Sequence, residues 1–329
     1  MNNLSLWHVD TQHSELRNTT NPIGKQFTEV KAAYSMISTG TEKMVALGKV
    51  APALAAKMAV PWMDGGFELP IKYGYSLVGH CKGGDNIIEP NTSKPVHLLH
   101  PHQQIAHVDP SCLYELPDSR PLRRMTLLSN METIVNALWD AEAILTHSHC
   151  ASLNVAICGF GNIGALLGIT LKSLYPCNIT VVEADAWRLE QASSMNFTTF
   201  HPSQPAGEFD LIFHTSCTQD GLNWCIQHTN YEASIIELSW YVDKLITLSL
   251  GGHFHYNRVR LISSQVSNIP KNKPNETYQS RKQYASKLLE NDEYDHLFAE
   301  DIPFTDAPDF FKMLRSGQLS NGLVWCFKY

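Results

Sequence analysis

The segment Gly159-Phe160-Gly161-Asn162-Ile163-Gly164 constrains this chain more than any other. Three glycines in six residues recur by chance, but here the context is specific. An apolar run ends at Cys158, directly before the glycines, and a helix-forming run opens on their far side. A strand that turns through glycines into a helix is a building block of parallel α/β sheets. Gly159 permits the tight turn, Gly161 lets backbone approach a pyrophosphate, and Gly164 allows helix and strand to pack closely. The first helical turn, with Asn162 and Ile163, offers backbone N–H groups and the positive end of the helix dipole to phosphate.

The residues that follow extend the pattern. Strand-like segments at 153–158, 178–183, 209–214 and 233–238 alternate with helix-like segments at 162–174, 186–195 and 220–228. A late strand at 259–266 and a late helix at 276–289 complete the series. This alternation predicts an α/β fold, a doubly wound parallel sheet of the Rossmann type. The second strand ends in Glu183, about 20 residues beyond the last glycine, where an acid accepts hydrogen bonds from an adenosine ribose. An acid there repels a 2′-phosphate, so the expected cofactor is NAD rather than NADP. Arg188 could restore some NADP binding, although Ala184 and Asp185 supply no cationic cradle. The same turn also occurs in domains that bind nothing, or that bind an adenylate such as S-adenosylmethionine. The agreement of strand, glycines, helix and acid favours the dinucleotide.

Upstream, residues 1–122 alternate in short runs broken by Pro, Gly and Asn, with strands expected near 27–34, 73–78 and 96–99. That texture predicts an irregular, β-rich domain. Residues 125–145 are helical in pattern, and 43–62 form an Ala/Met-rich stretch expected to be helical before Pro61. The expected division is a β-rich domain at 1–122, a Rossmann domain at 123–270, and a C-terminal piece at 271–329 that completes both.

Composition narrows the function classes. A net charge of −7 with no lysine- or arginine-rich run disfavours nucleic acid as a partner. No apolar stretch is long enough to span a bilayer, and the N-terminus lacks a secretory pattern. The eight cysteines form no C-x-x-C pair, which points to reduced thiols and a cytoplasmic location.

Several further segments, Ser38-Thr39-Gly40-Thr41-Glu42, 72–79, His100-Pro101-His102-Gln103 and 251–255, accompany the glycine turn. With them the chain resembles the medium-chain dehydrogenase/reductase superfamily over nearly its whole length. It looks closest to a branch labelled zinc-binding dehydrogenase, similar to bacteriochlorophyllide dehydrogenases. The resemblance implies an N-terminal GroES-like catalytic domain joined to the Rossmann domain. It also implies cofactor contacts at Thr215 and Ser216, and at Ser239 and Trp240 after the strand that leads towards the nicotinamide. The edge strand at 259–266 implies a homodimer.

The zinc ligands of that superfamily do not transfer. Its first ligand is the cysteine of a C-x-[ST]-[DE] segment, and here the matching segment is Thr39-Gly40-Thr41-Glu42. Its second is the histidine of a G-H-E segment, which here reads Gly74-Tyr75-Ser76. Only Cys81 and Cys112 fall where a four-cysteine lobe would lie. No zinc and no metal site is therefore expected. His100 with His102, His147 with His149 and Cys150, and His253 with His255, which would share one face of a strand, are weaker candidates, more simply read as loop, packing or pocket histidines. By resemblance to zinc-free members, the expected activity is hydride transfer between NAD(H) and an unidentified carbonyl, alcohol or quinone-like substrate. Tyr75 and Thr41 are the first candidates to handle the proton, and His102 the second. The alternative is a dinucleotide-binding protein that has lost the superfamily's chemistry.

Overall fold

The computed structural model describes residues 3–20, 27–82, 93–146, 150–242, 244–319 and 321–329. The chain divides into two compact units, Met1–Ser129 with Phe298–Tyr329, and Asn130–Leu297.

In the first unit, β1 (Leu4–His8) and β2 (Ser14–Asn18) form an antiparallel hairpin. The larger sheet is built on β3 (Thr28–Ile37), β4 (Leu77–Lys82), β5 (Ser93–Leu98), β6 (Ile105–Val108) and β7 (Tyr114–Glu115). One core of this unit is aliphatic, with Val30, Leu77, Val96, Leu98, Ala106 and Val108 buried together.

The second unit is a six-stranded parallel sheet. Its strands are β8 (Asn154–Cys158), β9 (Asn178–Val182), β10 (Thr198–Phe200), β11 (Phe209–His214), β12 (Thr229–Glu237) and β13 (Arg260–Ser263). Their spatial order is β10-β9-β8-β11-β12-β13. Numbered from β8 this is 3-2-1-4-5-6, the doubly wound order, with the reversal between β8 and β11. Strands covered on both faces read as continuous apolar runs, and Val155 to Cys158 are all buried. The helix Asn162–Leu174 is correspondingly apolar all round, with Gly164 to Leu171 buried. Side-chain caps define the other helix starts: Asp185 accepts from Arg188 N, and Thr218 from Gly221 N.

The last segment of the chain returns to the first unit. There β14 (Ile302–Pro303) pairs with β15 (Trp325–Lys328), and β15 pairs antiparallel with β3. An aromatic core of Phe304, Phe310, Phe311, Trp325 and Phe327 holds this return in place.

Three local expectations change. The stretch 43–62 is not one helix. The helix Thr39–Ala46 stops before Gly48, whose φ of 62° breaks it, and only Ala55–Met58 resumes an α-helix. The strand expected at 73–78 starts at Leu77, because Gly74 sits at φ 138°, outside strand geometry. His253 and His255 lie on the helical turn His253–Tyr256, not on a strand, so they do not share a face as a chelating pair. His147 and His149 lie outside the described residues.

Candidate functional site

The glycine loop lies at the C-terminal end of β8, beside the end of β11, where the strand order reverses. Each glycine has its own steric reason. Gly159 has a φ of 104°, and a Cβ there would stand 2.8 Å from Ser216 N. A Cβ on Gly164 would stand 2.0 Å from Gly159 O, so the helix packs hard on the turn. A Cβ on Gly161 would meet only Arg188 Nη1, at 3.7 Å. Space above Gly161 is thus open to a ligand, while the other two glycines are fixed by the fold. Gly161 is also the N-cap of the helix Asn162–Leu174 and brings no side chain to satisfy its first N–H groups. That leaves the helix start equipped for an anion.

Glu183 is nearly buried, and its carboxylate is largely spent on backbone. It accepts from Phe160 N at 2.6 Å, Ala184 N at 2.7 Å and Asp185 N at 2.9 Å. Three of its roughly four lone-pair positions are therefore occupied. Glu183 ties the end of β9 to the glycine loop, a role that its position in the sequence did not suggest. Arg188 extends from the next helix towards Gly161 and makes no ion pair among the described residues.

The end of β11 carries a second polar group. Thr215 Oγ1 donates to Gly159 O at 2.8 Å. Ser216 Oγ lies 2.7 Å from His214 Nε2 and 2.9 Å from Thr218 Oγ1. On its other side the buried His214 ring meets Glu237 Oε2 through Nδ1, at 2.7 Å. Ser239 closes the arrangement, its N donating to Glu237 Oε1 and its Oγ accepting from Cys217 N. Trp240 is half-buried, and its carbonyl accepts from the Cys217 thiol at 3.2 Å. His214 and Glu237 were not among the residues singled out from the sequence. They are in-register partners on adjacent strands, and nothing in a single chain reveals that register.

In the first unit, Tyr75 and Thr41 come together. Burial pushes the Tyr75 phenol up to about 12, against hydrogen bonds with Ser38 and Thr41 that act the other way. Beside them Glu42 is buried, accepting from Ser38 N at 2.8 Å and facing His102 Nε2 at 2.8 Å. His102 is sealed from solvent, its Nδ1 engaged by Ser35 Oγ at 2.7 Å. With both ring nitrogens committed, His102 can act on this cluster only through Glu42.

Zinc needs thiolate, imidazole or carboxylate donors in tetrahedral array. Thr39 and Tyr75, the residues that the resemblance sets against the first two zinc ligands, offer an alcohol and a phenol that burial pushes up to about 12. This donor set does not fit a zinc ion.

No family model matches the sequence, and no curated protein matches it either. Solved structures do match the fold. TarJ from S. aureus in complex with NADPH is 17% identical, with 100% of this chain and 99% of that chain covered at a TM-score of 0.74. Galactitol-1-phosphate dehydrogenase from Escherichia coli is 14% identical, with 99% and 100% covered at 0.77. A putative zinc-binding dehydrogenase from Clostridium scindens is 14% identical, with 100% and 99% covered at 0.76. The chain thus has, end to end, the fold of these solved dehydrogenases, a Rossmann unit and a GroES-like unit.

Proposed function

We propose that the chain is a nicotinamide-dependent oxidoreductase that prefers NAD to NADP and transfers hydride without a catalytic zinc. The observation that carries this reading is the loop at the strand-order reversal. There Gly161 is left open while Gly159 and Gly164 are sterically locked, above a helix start with uncapped N–H groups. Gly161, Asn162, Ile163 and Gly164 would receive the pyrophosphate, and Glu183 would turn its remaining lone pair to the adenosine ribose. Thr215 and Ser216 would line the wall, with Ser239 and Trp240 further along it.

Bound there, the nicotinamide supplies or accepts the hydride. The protein's part is orientation and the proton. Tyr75 keeps its proton at neutral pH and can donate it to a carbonyl oxygen as hydride arrives, while Thr41 and Ser38 hold the phenol in line. In the reverse direction Tyr75 would first have to give its proton to solvent, and the resulting phenolate would take the alcohol proton as hydride leaves. The substrate class that fits this reading is a carbonyl, alcohol or quinone-like molecule.

A second reading, a dinucleotide-binding protein without turnover, is supported by the resemblance, which sets Thr39 and Tyr75 against the superfamily's metal ligands. Titration of the purified chain with NADH and NADPH, followed by nicotinamide fluorescence, tests the shared part of both readings. A panel of carbonyls, quinones and alcohols separates them. Binding of neither cofactor would overturn both, and tight NADH binding with no turnover on the panel would leave the second.

We further propose a homodimer through β13. This strand ends the sheet, and its Leu261 is 38% exposed. A monomer by solution mass measurement at micromolar concentration would exclude it. Among the described residues no helix is long and apolar enough to cross a membrane.

A further inference from the structure

Within the Rossmann unit, three metal-binding side chains converge behind the glycine loop. Cys158 is the last residue of β8, and His214 is its in-register partner at the end of β11. Cys225 rises to meet them from the helix Gln219–Gln227. One donor atom from each lies within 4.8 Å of the other two, and all three residues are buried. It is the one group of this kind among the described residues.

The spacing suits a small thiophilic ion. With zinc–sulfur bonds of about 2.3 Å and zinc–nitrogen bonds of about 2.0 Å, tetrahedral ligand atoms stand about 3.5–3.8 Å apart. The surroundings suit it too. A carboxylate can only accept, so the 2.7 Å contact between Glu237 Oε2 and His214 Nδ1 places the imidazole proton on Nδ1. Nε2 then accepts from the Ser216 hydroxyl, 2.7 Å away, and an incoming ion would take the place of that proton. Carboxylate, imidazole and metal in that order is how ligating histidines are oriented and made more basic. One oxygen is at hand for a fourth position: Gly221 O, 3.7 Å from Cys158 Sγ. Ile212, Leu222, Ile226 and Ile235 pack around the two thiols and keep the site dry.

We propose that Cys158, His214 and Cys225 bind one Zn²⁺ ion as a structural site. Loading would release one proton from each thiol, and two thiolates would balance the charge of the ion. The site would fasten the ends of β8 and β11 to the helix Gln219–Gln227, directly behind the wall formed by Thr215 and Ser216. It is separate from the position of Thr39 and Tyr75 and does not depend on the oxidoreductase reading.

The test uses the full chain, stripped with a chelator under reducing conditions and titrated with Co²⁺. The expected result is one equivalent bound, with a near-ultraviolet sulfur-to-cobalt charge-transfer band and tetrahedral visible bands. Cys158→Ser and Cys225→Ala should each abolish or strongly weaken the band, and Glu237→Gln should loosen binding by roughly 10–100-fold. X-ray absorption of zinc-loaded wild type should show two sulfur neighbours, a readout that does not depend on how any variant folds. Absence of cobalt uptake by the reduced wild type, or a zinc shell without sulfur, would overturn the proposal. So would a charge-transfer band that survives in the Cys158→Ser/Cys225→Ala double variant.

Discussion

Glu42 Oε2 and His102 Nε2 lie 2.8 Å apart, with both side chains sealed from solvent. The carboxylate can only accept, so the proton sits on Nε2, and Nδ1 accepts from Ser35 Oγ. Ser35 Oγ in turn lies 2.8 Å from Tyr329 Oη, the hydroxyl of the C-terminal residue. One hydrogen-bonded row therefore joins the helix Thr39–Ala46, the strand β3 and the end of the chain.

Removing either partner strands the other in a dry interior. We expect His102→Ala to lower unfolding free energy by about 3 kcal/mol, the usual cost of breaking a buried pair. Glu42→Gln, which can still accept, should cost less. Urea midpoints measure both. If His102→Ala leaves the midpoint unchanged, the row has no structural role.

The glycine loop gives a sharper contrast. Gly159→Ala introduces a Cβ 2.8 Å from Ser216 N at a φ of 104°, and should destabilise the unit by more than about 1 kcal/mol. Gly161→Ala meets nothing nearer than 3.7 Å and should melt within a few degrees of wild type. Its methyl group would occupy the space a pyrophosphate needs, so NADH affinity should fall by about tenfold or more. Thermal melts and fluorescence titration of the two variants check this, and equal affinities for Gly161→Ala and wild type would remove the loop from the site.

Much of the Rossmann unit was legible because its strands are covered on both faces and read as unbroken apolar runs. The helix expected at 162–174 is the one observed, Asn162–Leu174, since the glycines fix its start and Tyr175 leaves the helical region at its end. What escaped depends on register between strands joined by crossovers. His214 meets Glu237 and Cys158 only because β11 lies between β12 and β8 in one alignment. His253 and His255 misled for a local reason: their alternation suits a strand, but Gly252 opens a helical turn instead. In the β-rich unit, Tyr75 and Thr41 could be named from resemblance, whereas the burial of His102 behind Glu42 could not.

Acid should destabilise the first unit. His100 is 3% exposed, and burial lowers its pKa from 6.5 to about 4, partly offset by its hydrogen bond to Pro101 O. A depressed pKa means that the folded state binds fewer protons than the unfolded state between those values. The stabilisation is complete above pH 6.5 and is lost as pH falls through 4. The displacement corresponds to about 3 kcal/mol. Buried His8, also lowered by desolvation, adds in the same direction. A series of urea midpoints from pH 7 to pH 4 should fall steeply, and His100→Gln should flatten the slope. A wild-type midpoint independent of pH in this window would contradict the assignment.

Arg188 bears on cofactor choice. Its guanidinium reaches Gly161 and has no ion pair among the described residues, so it is available to a phosphate. Arg188→Ala should weaken NADPH by about tenfold, equivalent to about 1.4 kcal/mol, and should alter NADH by much less. Parallel titrations decide the matter. Equal losses for both cofactors would show that Arg188 touches a group they share, such as the pyrophosphate.

Tyr75 offers the most direct test of the chemistry. Tyr75→Phe removes one oxygen, keeps the ring contact with Tyr73, and should leave the fold and NADH affinity intact. If the phenol donates the proton, turnover should fall by about 100-fold or more. The pH dependence follows from the sign of the shift. A phenol pushed up to about 12 stays protonated throughout the neutral and mildly alkaline range, so the donor form is fully present there. Carbonyl reduction should therefore show no alkaline loss from Tyr75 below about pH 11, and an unmodified tyrosine would lose its proton near 10. A steep fall in turnover centred near pH 7 would assign the proton to another group, and Tyr75→Phe with undiminished turnover would do the same.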